Sequence, residues 1–237
     1  MRKLIASFAE NLATISPDAE ILRRDGLTYL DRRKIAAIER ELDRIRREHV
    51  PGDIVEFGVA LGGSGILLAK NARSDGRRFH GYDVFGMIPE PVSSKDDQKS
   101  RSRYEKIRSG GAAGIGGATY YGYIKNLYEH VSDTFRRYGV PVDGENVSLI
   151  KGLFEETWPR HPVERIAFAH VDCDWYDPVR FCLEAIESRV PVGGVIVLDD
   201  YRDYNGCKTA TDEFLASRPQ FRATHGRNLV LRRMAAT

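Results

Sequence analysis

The sequence predicts an α/β fold of three layers, a mostly parallel sheet covered by helices on both faces. Short apolar runs alternate with helix-forming stretches from residue 53 onward, which is the pattern of a buried parallel sheet. Two of those runs end on aspartates, at positions where open α/β sheets place their ligands. The length of 237 residues suits a single domain, since one core stops growing at roughly 250–300 residues.

The first fifty residues read as a helical lead-in. Ile35, Ile38, Leu42 and Ile45 recur at helical spacing, and the charged residues from Arg40 to Glu48 fill a solvated face. Pro51-Gly52 breaks that helix. Ile54–Val59 is the first strand, and Gly62-Gly63-Ser64-Gly65 turns into a helix from Ile66 to Ala72. Further strands are expected at 78–84, 147–150, 166–171, 195–198 and 229–231. Pro178 fits the first turn of a helix running to about Ser188. Another helix is expected near Thr209–Ala216.

Residues 86–146 break the alternation. Pro89, Pro91 and the polar run from Ser93 to Asp97 suggest an exposed loop, and the glycine-dense stretch 110–117 has little reason to be rigid. A helix carrying Tyr120, Ile124, Leu127, Val131 and Phe135 follows. The segment reads as a lid-like insertion that binds the acceptor over the active face, because long loops within compact domains are often functional. The whole of 1–237 is read as one domain.

Charge and cysteine usage exclude several classes. Lys+Arg 36 against Asp+Glu 34 leaves a formal net charge of +2, which offers no general case for nucleic-acid binding. No apolar stretch approaches the roughly 20 residues of a membrane span. Residues 1–5 followed by Glu10 and Asn11 lack the apolar core of an export signal. Cys173, Cys182 and Cys207 are too few for a disulfide scaffold, so a reduced, cytoplasmic setting is expected.

The run from Glu56 to Ser64 is a strand feeding a glycine-rich turn, which lets the backbone approach a ligand closely. Asp83, at the end of the next strand, can accept hydrogen bonds from both hydroxyls of a ribose. Turn glycines and a capping aspartate are the plainer alternative. The spacing Glu-x-Gly-x-x-x-Gly-x-Ser places Ala60 where a nicotinamide fingerprint needs its second glycine. A cofactor without pyrophosphate, S-adenosylmethionine, fits better. Gly58 and Gly62 would let it approach, Ser64 would hydrogen-bond its methionine end, and Glu56 would order the loop or contact that end.

Asp172 and Asp174 follow one strand, and Asp199 and Asp200 follow the next. If the strands are neighbours, four carboxylates converge at one sheet edge, and their repulsion is relieved by a hard divalent cation, with Mg²⁺ the first choice. Helix capping is the alternative. His170 and Cys173 are read as a core histidine and a buried thiol, not as ligands, because strand alternation turns Cys173 away from Asp172.

These motifs together resemble the macrocin and mycinamicin sugar O-methyltransferases, a group that includes the noviose O-methyltransferase. The resemblance runs from about Gly26 and rests on Asp53–Val59, Tyr82–Pro89, Lys151–Thr157, Asp172–Tyr176 and Gly193–Tyr201. It implies a class I (Rossmann-like) methyltransferase fold with a seven-stranded sheet, S-adenosylmethionine and Mg²⁺. It implies metal ligation by Asp172, Asp199 and Asp200, and catalytic roles for Asp172 and for Asp174, the latter as general base. Cofactor positions would be Glu56, Gly58, Gly62, Ser64 and Asp83, with Gly152 and Leu153 near the adenine. A symmetric homo-oligomer is also implied. The chain departs from the macrolide enzymes at His170-Val171, at Cys173 between the aspartates, and at Asp177-Pro178-Val179.

The expected activity is therefore Mg²⁺-dependent methylation of a hydroxyl on a small molecule, a sugar of a natural product. Tyr120, Tyr121 and Tyr123 of the insertion would close over the acceptor, or serve as ordinary packing. A catechol-like acceptor, a nicotinamide-dependent oxidoreductase and a non-catalytic binding protein are the rival readings.

Overall fold

A computed structural model of the chain describes residues 13–235; the expectations for residues 1–12 lie outside the described residues. Its centre is one seven-stranded sheet in the order β3-β2-β1-β4-β5-β7-β6. The strands are β1 (Asp53–Phe57), β2 (Phe79–Asp83), β3 (Val147–Lys151), β4 (Ile166–Val171), β5 (Val195–Leu198), β6 (Phe221–His225) and β7 (Leu229–Arg233). The first five pair in parallel, and β7 runs antiparallel between β5 and β6. Strand order reverses between β1 and β4, so the crevice outside their carboxyl ends is the expected ligand position of such a sheet.

Alternation along the strands builds a core on each face. Ile54, Phe168, Val195 and Val197 face one side, with the lead-in and the helices after β1 and before β3. Val55, Phe57, Ala169, Val171, Ile196 and Leu198 face the other. Central strands buried on both faces need this near-continuous apolar sequence.

Eight α-helices are described: α1 (Pro17–Arg24), α2 (Arg32–Arg47), α3 (Gly63–Ser74), α4 (Gln98–Arg108), α5 (Leu127–Arg137), α6 (Phe154–Thr157), α7 (Tyr176–Ile186) and α8 (Asn205–Ala216). α2 buries Ile35, Ile38, Leu42 and Ile45, as their spacing predicts. Asp31 caps it, its carboxylate accepting from the Lys34 N–H at 2.8 Å. Among the described residues no helix is long and apolar enough to cross a membrane.

The insertion differs from its sequence reading. Residues 98–108, to which the sequence reading gave no element, form α4, capped by Asp97 and burying only Ser100, Tyr104 and Ile107. The helix expected from Tyr120 begins at Leu127; Tyr120 instead precedes a 3-10 turn and packs on Ile107 and Ala112. The glycine-dense stretch is folded on itself, with Ala113 bridging Thr119 and the Gly114 N–H donating to the Ala118 carbonyl at 2.7 Å. β6, which the sequence reading did not include, is an edge strand with only Phe221 buried.

The start of the insertion is tied to the sheet's helices. Trp175 Nε1 donates to the Pro89 carbonyl at 3.0 Å, and the Tyr176 N–H donates to Asp96 Oδ1 at 2.9 Å. A Cβ at Gly206 would lie 1.9 Å from that same oxygen, so α8 can approach only because residue 206 has no side chain.

Candidate active site

Two cavities meet at the carboxyl edge of the sheet. One, of about 370 Å³, is lined by Val84, Ile88, Pro89, Leu153, Phe154 and Trp175 with several acids at its margin. The other, of about 270 Å³, is lined by Lys34, Arg103, four tyrosines (Tyr29, Tyr120, Tyr121, Tyr204) and the aspartates. Gly58, Asp83, Tyr121, Asp172 and Asp174 belong to both.

The loops that bring these residues together are sterically tight. Gly58 has φ +94°, and a Cβ there would lie 1.9 Å from the Asp172 carbonyl oxygen, so the turns after β1 and β4 touch backbone to backbone. Ala60, Phe85 and Asp174 adopt left-handed φ of 47°, 47° and 57° without being glycine. Strain of this kind collects at functional sites, where the surroundings over-determine it. Here Asp83 supplies part of that determination. Its Oδ2 accepts from the Val59 and Ala60 N–H groups at 2.7 and 2.9 Å, and its Oδ1 from the Phe85 N–H at 2.6 Å. Asp83 thus lines both cavities while binding the two strained loops together. Burial pushes its carboxyl up, against the pull of these three donors.

The other expected cofactor residues divide. Gly58 and Leu153 line the first cavity. Glu56, Gly62, Ser64 and Gly152 line neither. A Cβ at Gly62 would lie 2.9 Å from Phe135, and Ser64 is buried in the first turn of α3. Glu56 is fully buried beneath that turn and hydrogen-bonds His170, Nδ1 to Oε1 at 3.0 Å. Gly152 holds φ +143° and donates its N–H to the Asp83 carbonyl at 2.9 Å.

Asp172, Asp199 and Asp200 each offer an oxygen within 4.8 Å of the others. Asp174 stands beside them, its N–H donating to Asp200 Oδ2 at 3.1 Å. Burial and mutual repulsion shape their titration. Asp172 and Asp174 are pushed well above the usual carboxylate range, first by burial and then by neighbouring acids. Asp200 is raised to about 6 by burial and the charge of Asp199. Asp199 feels the same burial, but His170 and Lys34 outweigh it and hold it below its ordinary value. Asp199 Oδ1 is buried with no hydrogen-bond partner among the described residues. Three carboxylates, one with an unpartnered oxygen and the others costly to ionise, fit a hard divalent cation. Cys173 turns into the opposite core with Cys182 and Cys207.

Several residues of this site were absent from the sequence reading, among them Lys34, Arg103, Tyr29 and Tyr204. Lys34 reaches from α2 to Asp199 Oδ2 at 2.5 Å and Asp203 Oδ2 at 3.0 Å. Burial alone would lower its pKa, but the acids raise it, so it is a fixed positive charge. Arg103 of α4 lines the aspartate cavity over the Tyr120 ring, 5.5 Å from its centroid. Tyr29 comes from the lead-in, its ring 6.2 Å from that of Tyr121. Of the three expected tyrosines, Tyr123 lines neither cavity; its hydroxyl donates to the Ile107 carbonyl within the insertion.

A seven-stranded sheet with one antiparallel strand and this divided cleft define an S-adenosylmethionine-dependent O-methyltransferase of class I fold. The comparisons with known proteins give the family. The macrocin O-methyltransferase (TylF) family matches residues 13–222, and the chain belongs to it. One relative is the 8-demethyl-8-(2,3-dimethoxy-alpha-L-rhamnosyl)-tetracenomycin-C 4'-O-methyltransferase of Streptomyces olivaceus, 28% identical over 84% of this chain and 73% of its own. The mycinamicin III 3''-O-methyltransferase of Micromonospora griseorubida is 26% identical over 79% and 69%. The structure of the O-methyltransferase NovP superposes with a TM-score of 0.73 at 26% identity, covering 88% of this chain and 83% of that one. The oxidoreductase and non-catalytic readings do not survive this membership.

Proposed function

We propose that the chain methylates a hydroxyl of a sugar carried by a natural product, with a divalent cation, Mg²⁺, at Asp172, Asp199 and Asp200. The observation that carries this reading is the division of the cleft, one half apolar and the other acidic and tyrosine-lined, joined at Asp172 and Asp174. The apolar half suits an adenosine group, with Leu153 and Phe154 against the base and Asp83 at the ribose. S-adenosylmethionine would supply an electrophilic methyl group there. The cation would supply positive charge that lowers the pKa of an acceptor hydroxyl.

The chain's own residues do the rest. Asp174 is the general base, placed at the junction of the cavities so that its carboxylate can take the hydroxyl proton. Lys34 holds Asp199 in place and offsets one of the clustered charges. Tyr29, Tyr120, Tyr121 and Tyr204 offer ring faces and hydroxyls to a sugar, and Arg103 offers an array of donors. The insertion that carries α4 and Tyr121 covers the acceptor and restricts water. One relative is named for the O-methylation of a rhamnosyl-tetracenomycin, which supports a glycoside acceptor.

The test is incubation of the enzyme with isotopically labelled S-adenosylmethionine and a panel of glycosides and catechols, with Mg²⁺ or with chelator, read by mass spectrometry. Labelled methyl on a glycoside, lost in chelator, is the expected result. Labelling of catechols alone, or full transfer with metal absence verified, overturns the reading.

A further inference from the structure

Two fully buried residues stand behind the acidic half of the cleft without opening onto it. Glu56 of β1 and His170 of β4 are both 0% exposed and line neither cavity. They are direct partners in the β1–β4 register, so their side chains emerge side by side on one face of the sheet. His170 Nδ1 lies 3.0 Å from Glu56 Oε1. Its Nε2 faces Asp199 Oδ1 at 4.0 Å, and neither of those two atoms has a hydrogen-bond partner among the described residues. On the far side Gly65 closes the pair in, since a Cβ there would lie 2.8 Å from Glu56 Oε2.

We propose that Glu56 and His170 are positioning residues for the cation: Glu56 orients the imidazole, and the imidazole sets where the Asp199 carboxylate stands. The inference rests on the metal reading above. With Nδ1 hydrogen-bonded to Glu56, the ring cannot flip or rotate without breaking that bond, and its Nε2 edge stays turned toward Asp199 Oδ1. Asp199 is then flanked on two sides, by Lys34 bonded to Oδ2 and by the His170 ring facing Oδ1. Glu56, His170 and Asp199 thus form a line across β1, β4 and the end of β5. Partners of this kind, which orient a ligand without touching the metal, typically cost roughly 10- to 100-fold in metal affinity when mutated. This gives Glu56 work other than contacting the methionine end of the cofactor, and His170 work other than filling the core.

The test uses the full-length protein, Mn²⁺ as the metal probe and S-adenosylhomocysteine as the cofactor probe, each titrated by calorimetry. Glu56→Gln and His170→Gln are each expected to weaken Mn²⁺ binding about 10- to 100-fold. The double variant is expected to be no weaker than the worse single one, because the two act in series. S-adenosylhomocysteine affinity should stay within about twofold, which also shows that the sheet edge is intact. Glu56→Asp, with its shorter reach, is a second variant at that position and should weaken Mn²⁺ as well. Unchanged Mn²⁺ affinity in folded variants overturns the inference. So does loss of cofactor affinity alone in Glu56→Gln, which returns Glu56 to the cofactor. Wild-type protein that fails to bind Mn²⁺ overturns the metal reading itself, a separate outcome.

Discussion

The two halves of the cleft are built by different forces. The apolar half, at the ends of β1, β2 and β3, is set by space: Gly58 and Gly152 hold backbone conformations closed to other residues, and the Asp83 carboxylate is largely spent on backbone N–H groups. The acidic half, at the ends of β4 and β5, is set by charge: Asp172, Asp174 and Asp200 are crowded until burial and repulsion raise their pKa values. The first half is a consequence of folding. The second opposes folding and persists because the central strands impose it. Substitutions in the two halves should therefore fail in opposite ways.

The largest effect is expected from removing the base. Asp174→Asn should lower turnover roughly 10²–10⁴-fold, about 3–5 kcal/mol of barrier, with cofactor affinity little changed. Steady-state kinetics with the acceptor identified by labelling measure it; retained turnover would move the base elsewhere. Next comes space. Gly58→Ala drives a Cβ into the Asp172 carbonyl at a positive φ, and should destabilise the fold by about 3 kcal/mol, within the upper range for overpacking. Denaturant unfolding reads this directly, and a neutral result would mean that the two turns have room to separate.

The charged half is sharpened by pH. A carboxyl whose folded pKa lies above its unfolded value stabilises the fold below the unfolded pKa and loses that contribution as pH rises through the folded one. Asp200, raised to about 6, therefore weakens the metal-free protein between about pH 4 and pH 7. A bound cation reverses this, so Mg²⁺ should raise the melting temperature more at pH 7.5 than at pH 5. An equal shift at both values would detach the cation from these acids. For the same reason, metal-free Asp200→Asn should melt no lower than wild type at pH 7.5, the smallest of these effects.

How much of this was legible in the sequence follows the same division. Short apolar strands ending on Asp83, Asp172 and Asp199-Asp200 marked the sheet and its active edge, because alternation and strand-end acids are local signals. Lys34 was not legible: in a helix full of arginines and glutamates it looks like one more surface charge, and only the fold brings α2 against Asp199. The Glu56–His170 pair needed the register of two strands separated by the whole insertion. α4 escaped because its exposed face is polar and only Ser100, Tyr104 and Ile107 are buried. β6 escaped because an edge strand burying one residue has no alternation to read.

Calorimetric titration of metal-free protein with Mg²⁺ at pH 7.5 asks most directly whether the acids of β4 and β5 are a cation site. The expected result is one divalent ion per chain, proton release visible as a dependence of the heat on buffer, and loss of binding in Asp200→Asn. Absence of binding at millimolar Mg²⁺, or binding that Asp200→Asn leaves intact, would contradict it.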